Sequence, residues 1–310
     1  MSTLYISHPC FVRHLTPAGH PERPDRIRVV ERILEHERFQ PLAREASPVA
    51  TLKTLSLAHP ESYIRSIEEA SPAEGLLQID ADTAMSPGTL EAAQRAAGGA
   101  VLAVDEVMTK KVANAFSAAR PPGHHAERAT AMGFCFFNNA AVAARHAQKV
   151  HGAERVAIID WDVHHGNGTQ DIFWSDPSVL YCSTHEMPLY PGTGAASETG
   201  EHNTIVNVPL RAGDGGAEFR EAFEVGILPR VEAFRPDLII ISAGFDAHVR
   251  DPLANLNLVE ADFGWATAQL MDIADKSCEG RVVSLMEGGY DLEGLARSVA
   301  AHVMTLMRGG

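Results

Sequence analysis

The chain has few cysteines and no pattern among them. Cys10, Cys135, Cys182 and Cys278 are scattered over 310 residues. With no CxxC pair, neither a thiolate zinc site nor a disulfide framework is suggested. A reducing, cytoplasmic setting follows as the expectation. Long apolar runs are lacking too. No stretch approaches the roughly 18–20 residues of a membrane span, and mean hydropathy is −0.08. The start, Met1 to His8, has neither a basic segment nor a sustained apolar one, so no signal peptide is expected. The sequon Asn167-Gly168-Thr169 is then idle. Basic residues are in deficit: 26 Lys plus Arg against 40 Asp plus Glu give −14. This argues against nucleic-acid binding, which rests on basic surface. The same charge suits ordinary solubility, or a cationic substrate drawn to an acidic surface. No proline- or glycine-rich linker divides the chain, and a single domain over 1–310 is expected.

What is present is an alternation of helix and strand signals. Helices are expected from Arg23-Pro24-Asp25, with Ile27, Val30, Ile33 and Leu34 on one stripe, and over Leu90–Met108, Asn138–Val150, Glu218–Ala233, Glu260–Ser277 and Leu292–Met307. Short apolar strands are expected at Ala113–Ser117, Val156–Ile159, Val179–Cys182, Leu238–Ile241 and Val282–Met286. This alternation predicts an α/β fold with a parallel sheet covered on both faces.

Polar clusters follow four of these strands. They are Arg120-Pro121-Pro122-Gly123-His124-His125; Asp160-Trp161-Asp162-Val163-His164-His165; Ser242-Ala243-Gly244-Phe245-Asp246; and Glu287-Gly288-Gly289-Tyr290. Each alone has an ordinary reading: a histidine pair at the core edge, an aspartate capping a helix, a glycine turn with a packed ring. In a parallel sheet, however, all four lie on one edge, where ligands bind. Asp162, His164 and Asp246 then supply three ligands for a divalent metal and leave a position open. Two carboxylates and one neutral imidazole balance a +2 ion. Such a donor set suits Zn2+ and admits Fe2+. Tyr290 can offer its O–H to a developing oxyanion. His124 or His125 can act as general base and later as acid. Asp160 is assigned to hold one of these histidines, and His165 is a structural neighbour. Metal-assisted amide hydrolysis is the chemistry this set suits.

These stretches, with Gly133-Phe134-Cys135-Phe136-Phe137-Asn138 and Tyr190-Pro191-Gly192-Thr193-Gly194, resemble the histone deacetylase superfamily. The resemblance is to its class II branch and bacterial deacetylase or amidohydrolase members, including those acting on acetylpolyamines. It runs from about His20 to about Tyr290 and implies the arginase/deacetylase three-layer α/β/α sandwich around a mainly parallel sheet of about eight strands. It implies zinc on Asp162, His164 and Asp246, His125 as base, His124 paired with Asp160, and Tyr290 as oxyanion donor. Phe134, beside Gly133, and Tyr190 would flank a substrate tunnel, and Leu253 would stand at its mouth. A potassium ion would sit on Asp160, Asp162, His164 and Ser183 oxygens. Arg23 would lie deep beneath the site near an exit path for acetate. Leu253 favours acetyl-lysine as substrate. The acids Asp80 and Asp82 at the rim favour acetylpolyamines, and small-molecule amides are a further alternative. A non-catalytic acyl-binding module and a two-metal arginase-type hydrolase are the remaining rivals. An oligomer is compatible with the sequence.

Overall fold

The computed structural model describes Ser2–Arg308; Met1, Gly309 and Gly310, which belong to the expected 1–310 domain, lie outside the described residues. The strands, in chain order, are β1 (Thr3–Ser7), β2 (Ala43–Ala46), β3 (Leu77–Gln78), β4 (Ala84–Met85), β5 (Asn114–Ser117), β6 (Val156–Asp160), β7 (Val179–Glu186), β8 (Ile205–Leu210), β9 (Leu238–Ala243) and β10 (Val282–Met286). The helices are α1 (Asp25–Leu34), α2 (Leu52–Leu55), α3 (Glu61–Ala70), α4 (Thr89–Met108), α5 (Asn139–His151), α6 (Asn167–Phe173), α7 (Gly216–Glu221), α8 (Leu228–Phe234), α9 (Glu260–Ser277) and α10 (Leu292–Arg308). None of the described helices is long and apolar enough to cross a membrane.

Eight strands form one sheet in the order β2-β1-β5-β10-β9-β6-β7-β8, and every neighbouring pair in it is parallel. β3 and β4 form a separate antiparallel pair. The strand interiors are apolar on both faces, as a sheet covered by helices requires. Alternate residues feed two cores. Ala157 and Ile159 of β6 pack with Phe263, Leu270 and Val299 of α9 and α10. Val156 and Ile158 pack on the other side with Ala140, Ala144 and Val104 of α5 and α4.

The four strands that precede the polar clusters, β5, β10, β9 and β6, are adjacent at the sheet centre. Parallel pairing therefore sends all four clusters to one edge.

Two expected elements differ. The strand from Val179 continues to Glu186, because Ser183, Thr184, His185 and Glu186 are buried with the rest of β7. Its polar second half carries no apolar signal. The single helix expected over Glu218–Ala233 is interrupted by a π-helical turn over Ala222–Ile227. Pro229 has no N–H to give to the preceding turn, and Gly226 lies so close to β8 that an added Cβ would come within 2.7 Å of Val208 Cγ2.

Candidate active site

β6 delivers Asp160 at its last residue, and the chain then turns so that Asp162 and His164 face the end of β9. Asp246 arrives three residues past β9. The donor atoms of Asp162, His164 and Asp246 lie within 4.8 Å of one another, and all three residues are buried. Backbone N–H groups fix the carboxylates. Asp162 Oδ1 accepts from His164 N at 2.9 Å and its Oδ2 from Gly288 N at 2.7 Å. Asp246 Oδ1 accepts from Val163 N at 2.9 Å.

His164 Nδ1 stands 3.2 Å from Asp162 Oδ1 and 3.1 Å from Asp246 Oδ2. Burial opposes charge here, yet the two carboxylates outweigh it and push the imidazole up to about 10. Burial and the Asp162 charge push Asp246 up to about 7. The two carboxylates thus repel each other across a place where a bound cation would relieve that repulsion. Two glycines keep the space open. A Cβ on Gly288 would lie 2.1 Å from Asp246 Oδ2, and one on Gly244 would lie 2.2 Å from Asp162 Oδ2. An N/O donor set of one imidazole and two carboxylates fits a divalent ion.

The two adjacent histidines have opposite electrostatics. His124 Nδ1 donates to Asp160 Oδ2 at 2.9 Å. Burial opposes its charge, but Asp160 and Asp162 outweigh that and raise it well above its ordinary range. Burial also raises Asp160. Even so, that carboxylate accepts from Asp162 N and from the Tyr181 hydroxyl, both at 3.1 Å, which places the shared proton on His124.

His125 is depressed well below its ordinary value by burial and by neighbouring His124 and His164. Its Nδ1 lies 2.8 Å from Asn167 Oδ1. The Asn167 amide nitrogen donates to Glu127 Oε1 at 2.9 Å, which assigns its oxygen to His125. His125 therefore carries its proton on Nδ1 and presents Nε2 as a bare acceptor.

Above these groups is a cavity of about 240 Å³ lined by Asp82, His125, Gly133, Phe134, His164, Leu189, Tyr190, Leu253 and Tyr290. Phe134 packs edge-on to Tyr290, with ring centroids 5.9 Å apart, and Tyr190 edge-on to His125 at 5.2 Å. Gly133 has φ +55°, and a Cβ there would strike the His125 ring at 2.5 Å. Phe134 itself has φ +69°, strain that packing must hold in place.

The histone deacetylase domain family matches residues 20–306. The chain belongs to the histone deacetylase family. It is 39% identical to a probable deacetylase of Archaeoglobus fulgidus over 318 residues, covering 100% of this chain and 87% of that protein. It is 40% identical to a histone deacetylase-like amidohydrolase of Pseudomonas aeruginosa over 278 residues, covering 88% and 73%. It is also similar to the crystal structure of the HDA15 HD domain, with TM-score 0.94, 38% identity, and coverage of 99% of this chain and 88% of that one. This deacetylase-family chain has the family's arginase-like α/β fold and is an amide-bond hydrolase.

Within the histone deacetylase fold, one sequence expectation fails. Arg23 does not lie beneath the site. Its side chain is about half exposed and pairs with Asp25 at 3.6 Å. The deep arginine is Arg26, fully buried. It donates from Nε to Gly289 O at 2.6 Å, from a terminal nitrogen to Glu287 O at 2.5 Å, and to Glu22 Oε1 at 3.0 Å. The physical reason is helix phase. Arg23 precedes α1, whereas Arg26 lies four residues before Val30 on the buried stripe. Its guanidinium sits 4.9 Å from the Tyr290 ring centroid. Arg120 Nε and a terminal nitrogen grip Glu22 from the other side.

Glu287, in the Glu287-Gly288-Gly289-Tyr290 stretch, is a second brace that the sequence does not announce. Glu287 Oε2 accepts from Gly123 N at 2.7 Å and His124 N at 3.2 Å, and its Oε1 from the Ser242 hydroxyl at 3.2 Å. It ties three of the four clusters together. His165 turns away from the ligand set, with Nδ1 2.7 Å from the Thr193 hydroxyl and Nε2 3.1 Å from Gln170 Oε1.

Proposed function

We propose that this protein removes acetyl groups from N-acetylated amines, with acetyl-lysine side chains as its substrates, and that 1–310 act as one catalytic domain. The observation that carries this reading is the narrow aromatic-walled cavity ending on His125, His164 and Tyr290. Phe134 and Tyr190 flank a methylene chain, and the amide carbonyl reaches the floor. Asp162, His164 and Asp246 would hold a zinc ion, with Fe2+ admitted by the same ligands. Such an ion, when bound, supplies Lewis acidity and lowers the pKa of water.

The residues of the chain do the rest. His125 Nε2, bare and uncharged, takes a proton from the attacking water. The Tyr290 hydroxyl donates to the oxygen as it gains charge. Burial, partly offset by Arg26, raises that phenol well above its ordinary range, so it stays a donor. His125 then returns its proton to the departing amine. His124, held charged by Asp160, adds positive potential beside the reacting carbon. A potassium ion on Asp160, Asp162, His164 and Ser183 oxygens would buttress the ligand loop; Asp160 and Ser183 face each other in the β6–β7 register.

A rate comparison between an acetyl-lysine peptide and acetylspermidine, before and after chelation, tests this reading. We expect faster peptide turnover that chelation abolishes and zinc restores. Chelator-resistant turnover sinks the metal assignment. Asp82, which lines the same cavity, favours a second reading in which a polyamine's distal ammonium pairs with it. Faster acetylspermidine turnover selects that reading.

A further inference from the structure

A second group of metal-capable side chains lies far from the active site. Asp105 of α4 and His146 and His151 of α5 bring their ligand atoms within 4.8 Å of one another. Both imidazoles aim the same atom at the same oxygen. His146 Nε2 and His151 Nε2 each stand 2.7 Å from Asp105 Oδ1. Their rings cross edge-on with centroids 5.7 Å apart. The histidine side chains are 13% and 15% exposed and Asp105 is 40% exposed, so the group is preformed yet open to solvent on one side.

The surroundings favour a cation. Asp105 sits in the last turn of α4, where there is no basic residue. His151 is the last residue of α5. Two helix carboxyl ends therefore converge, each with its negative dipole end turned toward this spot. Of the nearby lysines, Lys111 pairs with Glu106 and Lys110 with Glu279, while Lys149 in the last turn of α5 is exposed. Among the described residues, the only ionic partners of Asp105 are the two imidazoles.

We propose that Asp105, His146 and His151 form a second metal site, specific for a divalent transition ion of the zinc, nickel or copper class. Two imidazoles and one carboxylate suit these ions, whereas Mg2+ and Ca2+ take oxygen-rich sets. The fourth position is left to water. Each helix runs into a sheet strand, α4 into β5 and α5 into β6, so the site lies at the amino edge. The catalytic groups lie past the carboxyl ends, one strand length away, about 17 Å for five residues at about 3.3 Å each. The ion clamps α4 to α5 and takes no part in the chemistry.

The test is metal stoichiometry on tag-free, catalytically active protein dialysed against micromolar free Zn2+. Wild type is expected to hold two zinc ions per chain, and the His146→Ala/His151→Ala variant one, with deacetylation unchanged. In the Asp162→Asn background excess zinc should raise the melting temperature, and should no longer do so once the two alanines are added, and millimolar Mg2+ should leave the second ion in place. Asp162→Asn, which disables only the other site, should keep one equivalent that disappears when the two alanines are added. Should the double variant not fold, Asp105→Asn must lower the affinity of the second ion at least tenfold. A wild-type stoichiometry of one, a second ion retained without the two histidines, or an Asp105→Asn affinity equal to wild type would each overturn the proposal.

Discussion

The floor and the mouth of the cavity are built by opposite rules. On the floor the polar side chains are buried, and the carboxylates are held by other elements. Asp162 is gripped by Gly288 N, Asp246 by Val163 N, and Glu287 by two clusters at once. At the mouth, Tyr190 is 38% exposed, and Leu253 and Asp82 sit on loops with solvent beside them. Buried polar groups are costly to leave unpaired, so the floor is over-determined and its chemistry rigid. Loop residues carry little of the fold's stability. The contrast implies that catalysis is fixed by the sheet edge and that substrate choice rests on a few exposed side chains.

This division can be broken by substitution, starting at the floor. His125→Ala removes the general base and should lower kcat by ~10²–10⁴ with the fold intact by circular dichroism; retention of most activity would remove His125 from the mechanism. Tyr290→Phe removes one oxyanion donor and should cost ~10²–10³ in kcat with bound metal unchanged by elemental analysis. Arg26→Met leaves the buried carbonyls of Glu287 and Gly289 without a donor and should destabilise the fold by about 2–5 kcal/mol, read as a lowered denaturation midpoint. An unchanged midpoint would mean that Arg26 does not brace the floor.

The pH profile sharpens the same contrast. Burial, then His124 and His164, hold His125 well below its ordinary 6.5. A base must be unprotonated to act, so kcat/KM should be flat down to pH 6.5 and fall only below it. An acid limb centred above 6.5 would assign the base elsewhere. The smallest effect belongs to the mouth. Leu253→Glu should shift the acetylspermidine to acetyl-lysine ratio by roughly tenfold, the value of about 1.4 kcal/mol, with little change in kcat on a small acetyl amide. A loss of kcat on every substrate would place Leu253 on the floor instead.

Much of the floor was legible in the sequence because strand ends announce themselves. The apolar runs at Val156 and Leu238 stop abruptly at Asp160 and Ser242, and a parallel sheet aligns such stops. The pairing of Asp162 and His164 with a distant Asp246 followed from that alignment, and the geometry brings the three together. Arg26 was missed for a different reason. Its charge suggests a surface arginine until helix phase places it on the buried stripe, whereas Arg23 in His20-Pro21-Glu22-Arg23-Pro24 is the more conspicuous residue in the sequence. The second half of β7 is hidden in the sequence because buried Ser183 to Glu186 look like loop when their partners lie far along the chain. Nor did spacing along the chain reveal Glu287 as a brace, since its partners are brought by β5 and β9.

The proposed ligands Asp162 and His164 follow β6, while Asp246 follows β9, with α6, β7, β8, α7 and α8 between them in the chain. During synthesis, a nascent chain grown only through β8 owns two ligands and lacks the third. β9 must then pair alongside β6, with Ile241 beside Ile159, before the trio closes. Displacement of β9 by one residue would reverse the faces of its side chains and carry the loop bearing Asp246 about 3.3 Å along the sheet edge. Ion capture would therefore report correct threading of the central strands, and metal retention could serve as a proofreading signal for molecules that have completed assembly.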